Sequence, residues 1–196
     1  MVKNVVKLEK MEKLFGNKNM VEDKITKMSL IDNELGKMIN VVSQKLFKAN
    51  AVMDCISSRL DTVFAMPKVS EILHHRIAHK FPLLADIITE YLGKRNYAVY
   101  YGAIPQIDYR YDKPSEYFWE FVNIMGEIRD DINVAIEMAN NIKDFSASDM
   151  LSSFLSEYVD LYTKQSFIFY YQSLQEEEHG NLSSFNSHFE DWMIIE

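Results

Sequence analysis

KRNYAVYYGAIPQIDYRYDK, residues Lys94–Lys113, lies between two long helical patterns and has no helical period of its own. It is rich in tyrosine and is broken by Gly102 and Pro105. Before it, Ile31, Leu35, Met38, Val42, Leu46, Ala49, Met53, Ile56, Leu60 and Val63 recur at steps of three and four, the signature of one buried helical face. Pro67 suits the first turn of a second helix that runs to about Gly93, a natural stop. After it, Pro114 opens a third helix with Phe118, Val122, Met125, Ile132, Ala135, Ala139 and Ile142 on its apolar stripe. "DFSASD" interrupts the chain, with Ser146 as an expected N-cap, and a fourth helix carries Leu151, Leu155, Tyr158, Leu161, Ile168 and Tyr171. The first-to-second and third-to-fourth links are short, so each pair should form an antiparallel hairpin. The link between the pairs is long enough to run the length of a bundle. The connection lengths therefore predict an all-α, four-helix bundle with one long crossover between helices 2 and 3.

Composition agrees with that reading and narrows the function. Hydrophobic residues are 47% and charged residues 26% of the 196, an ordinary globular mix, and six glycines with four prolines disfavour a fold of many short strands. A formal net charge of −8 argues against a surface that grips nucleic acid or anionic lipid throughout. The lone Cys55 excludes an internal disulfide and a cysteine-based zinc site. No run has the roughly 18 apolar residues of a membrane span, and "MVKNVVKLEKMEKLFGNK" lacks the apolar core of a signal peptide, so a cytoplasmic protein is expected. Residues 1–28 carry seven lysines against four carboxylates and form a mildly basic extension, in which "VVKLEKMEKLF" suits a short helix. Residues 29–176 are expected to form the bundle. Residues 177–196 are expected to form a tail with a short helix in "LSSFNSHFEDWM".

The titratable chemistry concentrates on the second helix, where three of the five histidines lie. At about 100° per residue, with Glu71 at zero, His75 falls near 40°, Asp86 near 60°, His79 near 80° and Glu90 near 100°. These five share one face, nearly opposite Ile77, Leu84 and Ile88. The stripe points away from the chain's own core. The structural reading is a solvated charged face; the functional one is a divalent-metal site, since imidazole and carboxylate at i, i+4 are suitable ligands. His74 falls nearer the core side, at about −60°. Glu71-Ile-Leu-His74 spells the Glu-x-x-His of intra-bundle iron sites, but no matching pair appears on the fourth helix.

From about Ile31 to Leu174 the chain resembles the Dps mini-ferritins, a ferritin-like family. The likeness is clearest in "ADIITEYLGKRN" and "EIRDDINVAIEMANNIKDFSASDMLSSFLSEYVDLYTKQSFIF". Asp86-Ile-Ile-Thr-Glu90-Tyr-Leu-Gly matches the family's Asp-x-x-x-Glu signature. The resemblance implies a dodecameric hollow shell that oxidises iron(II), preferably with peroxide, and stores the ferric product. It implies an oxidation site shared between two subunits across a two-fold contact at helix 2. Asp86 and Glu90 match the family's carboxylate pair, and gap-free alignment puts Glu71 at a family histidine and His75 at a family acidic ligand. The expected metal ligands are thus Asp86, Glu90, His75, Glu71 and, as an auxiliary, His79.

One departure bears directly on activity. The family's first-helix His-Trp is Arg59-Leu60 here, and a guanidinium cannot bind a cation. Arg59 is expected to pair with Asp86 or Glu90. Two functions follow: a ferroxidase and iron store with an altered inter-subunit site, or a non-catalytic ferritin-fold scaffold that has lost the metal. Iron and further copies of the chain are the expected partners. DNA binding through the basic extension is expected to be weak or absent, because few phosphate contacts give weak, salt-sensitive binding.

Overall fold

The computed structural model describes residues 28–195. Residues 1–27 of the basic extension, with its expected short helix, lie outside them. The Asp32 carboxylate accepts from the backbone N–H of Glu34 and Leu35 and opens α1 (Asn33–Phe64). Leu35, Ile39, Val42, Leu46, Ala49, Met53, Ile56 and Leu60 lie on one side of α1 and are fully buried. Ala65, in the left-handed region at φ 55, ends it. The second rod comprises α2 (Pro67–Ile72), a π-helical turn (Leu73–Ala78) and α3 (Lys80–Lys94). Its left-handed terminator is Asn96, at φ 55, and not Gly93, which stays inside the last turn of α3. The third rod is α4 (Pro114–Asn141). The fourth comprises α5 (Phe145–Phe154), a second π turn (Leu155–Val159) and α6 (Asp160–Glu178). A short α7 (Leu182–His188) and a 3-10 turn (Phe189–Trp192) follow. The cap of α5 is Asp144, whose side chain accepts from Ala147 N–H; the expected cap, Ser146, sits inside the helix.

Side-chain pairs fix the rod directions. Asn50 reaches the Ala78 carbonyl and Ser57 the Ser70 carbonyl, so α1 and the second rod run antiparallel. Lys45 pairs with Asp131 and Lys48 with Glu127, so α1 and α4 are antiparallel too. The second rod and α4 are therefore parallel, and residues 96–112 must travel the bundle's length to join them. Glu177 of α6 accepts from Ser115 N–H at 2.6 Å and Ser115 Oγ at 2.8 Å, bringing the end of α6 to the start of α4. The order is up, down, down, up.

The crossover has neither helix nor strand and is held by α1. The fully buried Asn40 donates to the Tyr100 carbonyl at 2.9 Å and accepts from Tyr100 N–H at 3.2 Å. Gly36 lets the Tyr97 ring lie against α1 where a Cβ would collide with it. Arg95, at the crossover's start, pairs with Asp144 at 2.6 Å and ties it to the α4–α5 turn. The C-terminal segment closes one end. Phe118 and Phe169 of the bundle pack against Phe185 and Phe189, and Asn186 accepts from Lys68 and Val69 N–H at the start of α2. The fully buried Gln165 donates to the Trp192 carbonyl at 3.0 Å and accepts from Ile194 N–H at 2.7 Å. No helix among the described residues is long and apolar enough to cross a membrane.

Candidate metal centre

An intra-bundle metal site needs carboxylates and histidines aimed at the axis. Here the buried polar residues are Asn40, Ser43, Ser57, Ser115, Ser148, Gln165, Ser166 and Ser173. Among the described residues no Asp, Glu, His, Lys or Arg is buried. Rings occupy the interior instead: Phe81 packs with Phe121 at 6.3 Å and with Tyr162 at 5.4 Å between centroids. Glu71, of the Glu-x-x-His pair, is exposed, and His74 is half-exposed. Metal chemistry therefore has to be sought on the outside of the bundle.

The outer face of the second rod gathers the candidate ligands. Pro82 has no N–H, so the Ala78 carbonyl loses its usual helical donor. Asn50 of α1 replaces that donor, with Nδ2 at 3.2 Å from the Ala78 carbonyl. The same amide is 3.2 Å from Asp54 Oδ2. The other carboxylate oxygen, Asp54 Oδ1, is 2.8 Å from His74 Nδ1. Just before Pro82 the helix widens, and His79 N–H bonds back to the His74 carbonyl, five residues away. This π turn holds His74, His75 and His79 together. Their ring centroids are 4.7 Å apart for His74–His75, 4.3 Å for His74–His79 and 5.6 Å for His75–His79. One nitrogen from each ring lies within 4.8 Å of the others, the only group of its kind among the described residues. An ionised Asp54 carboxylate can only accept, so His74 donates from Nδ1, and Nε2 is the nitrogen left open to a ligand.

Of the five residues singled out from the sequence, the fold of one chain brings His75 and His79 into this group. Glu71, Asp86 and Glu90 are exposed on the same rod and stand outside it. Glu90 makes a loose i, i+4 pair with Lys94 at 3.8 Å. Arg59 turns away from both carboxylates and pairs with Asp108 of the crossover at 2.5 Å. Arg110, at 2.7 Å, and then Arg59 hold the Asp108 carboxyl below its ordinary range.

The sequence reading set His74 on the core side of the helix, outside the metal stripe, for a physical reason. In a regular helix His74 and His79 are about 140° apart; an extra residue in the turn cuts that to about 40°. The same extra residue shifts the phase of Asp86 and Glu90 relative to Glu71 by about 100°, and all three remain exposed. The spacing His74-His75-x-x-x-His79 followed three residues later by Pro82 was the available signal. Asp54, on another helix, had none.

Comparison with solved structures finds the same architecture in ferritins. An open-pore ferritin from the hyperthermophilic archaeon Archaeoglobus fulgidus matches with a TM-score of 0.74 at 15% identity, over 82% of this chain and 97% of that one. An engineered closed form of that ferritin matches with a TM-score of 0.73 at 15% identity, over 81% and 95%. A humanized archaeal ferritin matches with 0.73 at 14%, over 81% and 94%. No protein-family model and no curated protein matches the chain. The chain has the ferritin-like four-helix-bundle fold.

Proposed function

We propose that this chain is an iron-handling ferritin-fold protein of the Dps-like kind. It assembles as a closed, dodecameric homo-oligomer, binds and oxidises iron(II) where two subunits meet, and stores iron(III) in the hollow. The observation that carries this reading is the location of the ligands. The interior of the ferritin-like bundle has no buried carboxylate or histidine among the described residues, whereas His75, His79, Glu71, Asp86 and Glu90 all lie on the outer side of one rod. Asp86 and Glu90, exposed there and apart from the histidines of their own chain, need a second subunit to complete an iron coordination shell.

Each residue has a distinct part. Asp86 and Glu90 of one subunit supply anionic oxygens, which favour iron(III) over iron(II) and so help drive the oxidation. Glu71 and His75 of a second subunit complete the shell, and His79 assists. With peroxide as oxidant, two iron(II) ions each give up one electron, and peroxide with two protons becomes two waters. The acidic body, at net charge −8, draws cations towards the assembly and disfavours retention of DNA.

A second reading is the metal-free scaffold, favoured by Arg59, which stands where the resembled family has a ligand and is committed to Asp108. Native mass and iron(II) titration of wild type and Asp86→Ala/Glu90→Ala decide between them. A closed oligomer whose oxidation is lost in the double variant supports the iron reading. A closed oligomer that neither binds nor oxidises iron leaves the scaffold.

A further inference from the structure

We infer that His74, His75 and His79, positioned by Asp54, form a self-contained site for one late first-row divalent cation, with zinc as the type ion. This deepens the reading above and rests on it only in taking the outer face of the second rod as metal-binding. It needs neither a partner subunit nor iron.

Three features argue that the imidazoles are a built site and not a chance surface patch. The first is the π turn. A helix gives up its regular hydrogen bonding over Leu73–Ala78, and the result is that His74 stands beside His79. Single π turns are frequent at functional positions because they re-aim side chains. The second is Asp54. A carboxylate that accepts from the far nitrogen of a metal-binding histidine fixes its ring and raises its basicity. The 2.8 Å contact from Asp54 Oδ1 to His74 Nδ1 is that arrangement, with Nε2 left for a metal. The third is Asn50, which satisfies the carbonyl freed by Pro82 and the second oxygen of Asp54 with one amide. One chain of contacts thus links the helix irregularity to the ligand.

The donor set selects the ion. Three neutral imidazole nitrogens suit zinc, copper, nickel and cobalt, whereas hard ions such as magnesium and calcium require oxygens. Affinity for a nitrogen site rises from iron(II) through cobalt and nickel to copper, and zinc also exceeds iron(II). The group therefore binds zinc in preference to iron(II). Nitrogens held about 2.0–2.1 Å from a tetrahedral zinc lie about 3.4 Å apart. With His74 held by Asp54, turning the exposed rings of His75 and His79 is the movement that would bring one nitrogen of each to that spacing from Nε2 of His74. Three neutral ligands leave the ion's double charge uncompensated, so its fourth position takes water or an anionic oxygen.

The test uses the full chain with any affinity tag removed. Zinc is titrated by calorimetry, and cobalt(II) serves as a spectroscopic probe. Wild type is expected to take up one zinc per chain and to give the intense visible bands of tetrahedral cobalt(II). His74→Gln and His79→Gln should each weaken zinc binding by about 100-fold or more and abolish those bands. Asp54→Asn, which keeps the side-chain shape, should weaken binding by about 10- to 100-fold and retain the bands. His179→Gln/His188→Gln should change neither. Binding well below one ion per chain, or affinity unaffected by His74→Gln and Asp54→Asn, overturns the inference. Zinc binding without iron oxidation upholds it and sinks the iron reading; iron oxidation without zinc binding does the reverse.

Discussion

Among the described residues there are two π turns, one in the second rod and one in the fourth, and they differ in what they bring together. In the first, Leu73–Ala78, the extra residue sets three imidazoles on the outer surface beside Asp54. In the second, Leu155–Val159, Asp160 N–H bonds back to the Leu155 carbonyl in the same five-residue manner. Its neighbours, however, are rings and hydroxyls. Phe154 and Tyr158 pack at 5.5 Å between centroids, and Thr163 donates its hydroxyl to the Val159 carbonyl at 2.7 Å. The two irregularities are alike in backbone and unlike in chemistry. A π turn is therefore not a site in itself. It re-phases the residues that follow, and those residues and their tertiary neighbours decide whether the new phase binds anything.

Removing the extra residue should separate the two turns most sharply. Deleting Lys80, just beyond His79, converts the first to regular helix with His74 and His79 still five residues apart, moves them from about 40° to about 140° apart, and should weaken zinc binding by about 100-fold while helical content by circular dichroism holds. Deleting the exposed Ser156 from the second should leave zinc binding at the wild-type value. Equal effects from the two deletions would break the comparison.

Next in size is the residue that steadies the first turn. Asn50→Ala leaves the Ala78 carbonyl and an Asp54 oxygen without their shared donor, and should cost about 2 kcal/mol in urea unfolding as well as weaken zinc binding. Loss of stability with undiminished metal affinity would show that Asn50 serves packing alone.

Beside the second turn lies one of the alkali-sensitive groups, with Tyr109 and Tyr111 of the crossover, whose phenols are also pushed up, as the others. Tyr162, three residues beyond it, is only 4% exposed, and burial pushes its phenol from 10.0 up to about 12. Between those values the unfolded chain has lost this proton and the folded chain has kept it. Stability therefore falls as pH rises from about 10 towards about 12, and Tyr162 contributes no such change below that window. At about pH 11 Tyr162→Phe should recover about 1 kcal/mol relative to its own effect at neutral pH. An identical pH profile for both proteins would remove Tyr162 from the account. The smallest effect belongs to Thr163→Val, which removes one hydroxyl from the Val159 carbonyl and should cost about 0.5 kcal/mol with no change in metal binding.

The legibility of the sequence follows the same division. The bundle was readable because its evidence is local or additive. Apolar residues at steps of three and four mark each rod, and a twenty-residue link without periodicity is long enough to run the length of the bundle. Helix ends were readable to within a turn. Asp144 displaced Ser146 as a cap because it also receives Arg95 from the crossover. Asn96 displaced Gly93 as the left-handed residue. Of the metal group, His75 and His79 were legible because four residues bring side chains to one face of any regular helix.

The amino-acid order by itself determined that this chain is all-helical, that its rods pair through short links and cross over once, and that its histidines crowd the second rod. Only the tertiary structure decided which histidines meet. A helix's phase accumulates residue by residue, so one extra residue in a turn redirects everything beyond it. Whether that turn can exist depends on a donor for the carbonyl that Pro82 leaves free, and the donor, Asn50, comes from another helix. Asp54 reaches His74 by the same route, through the packing of α1 on the second rod, twenty residues away along the chain.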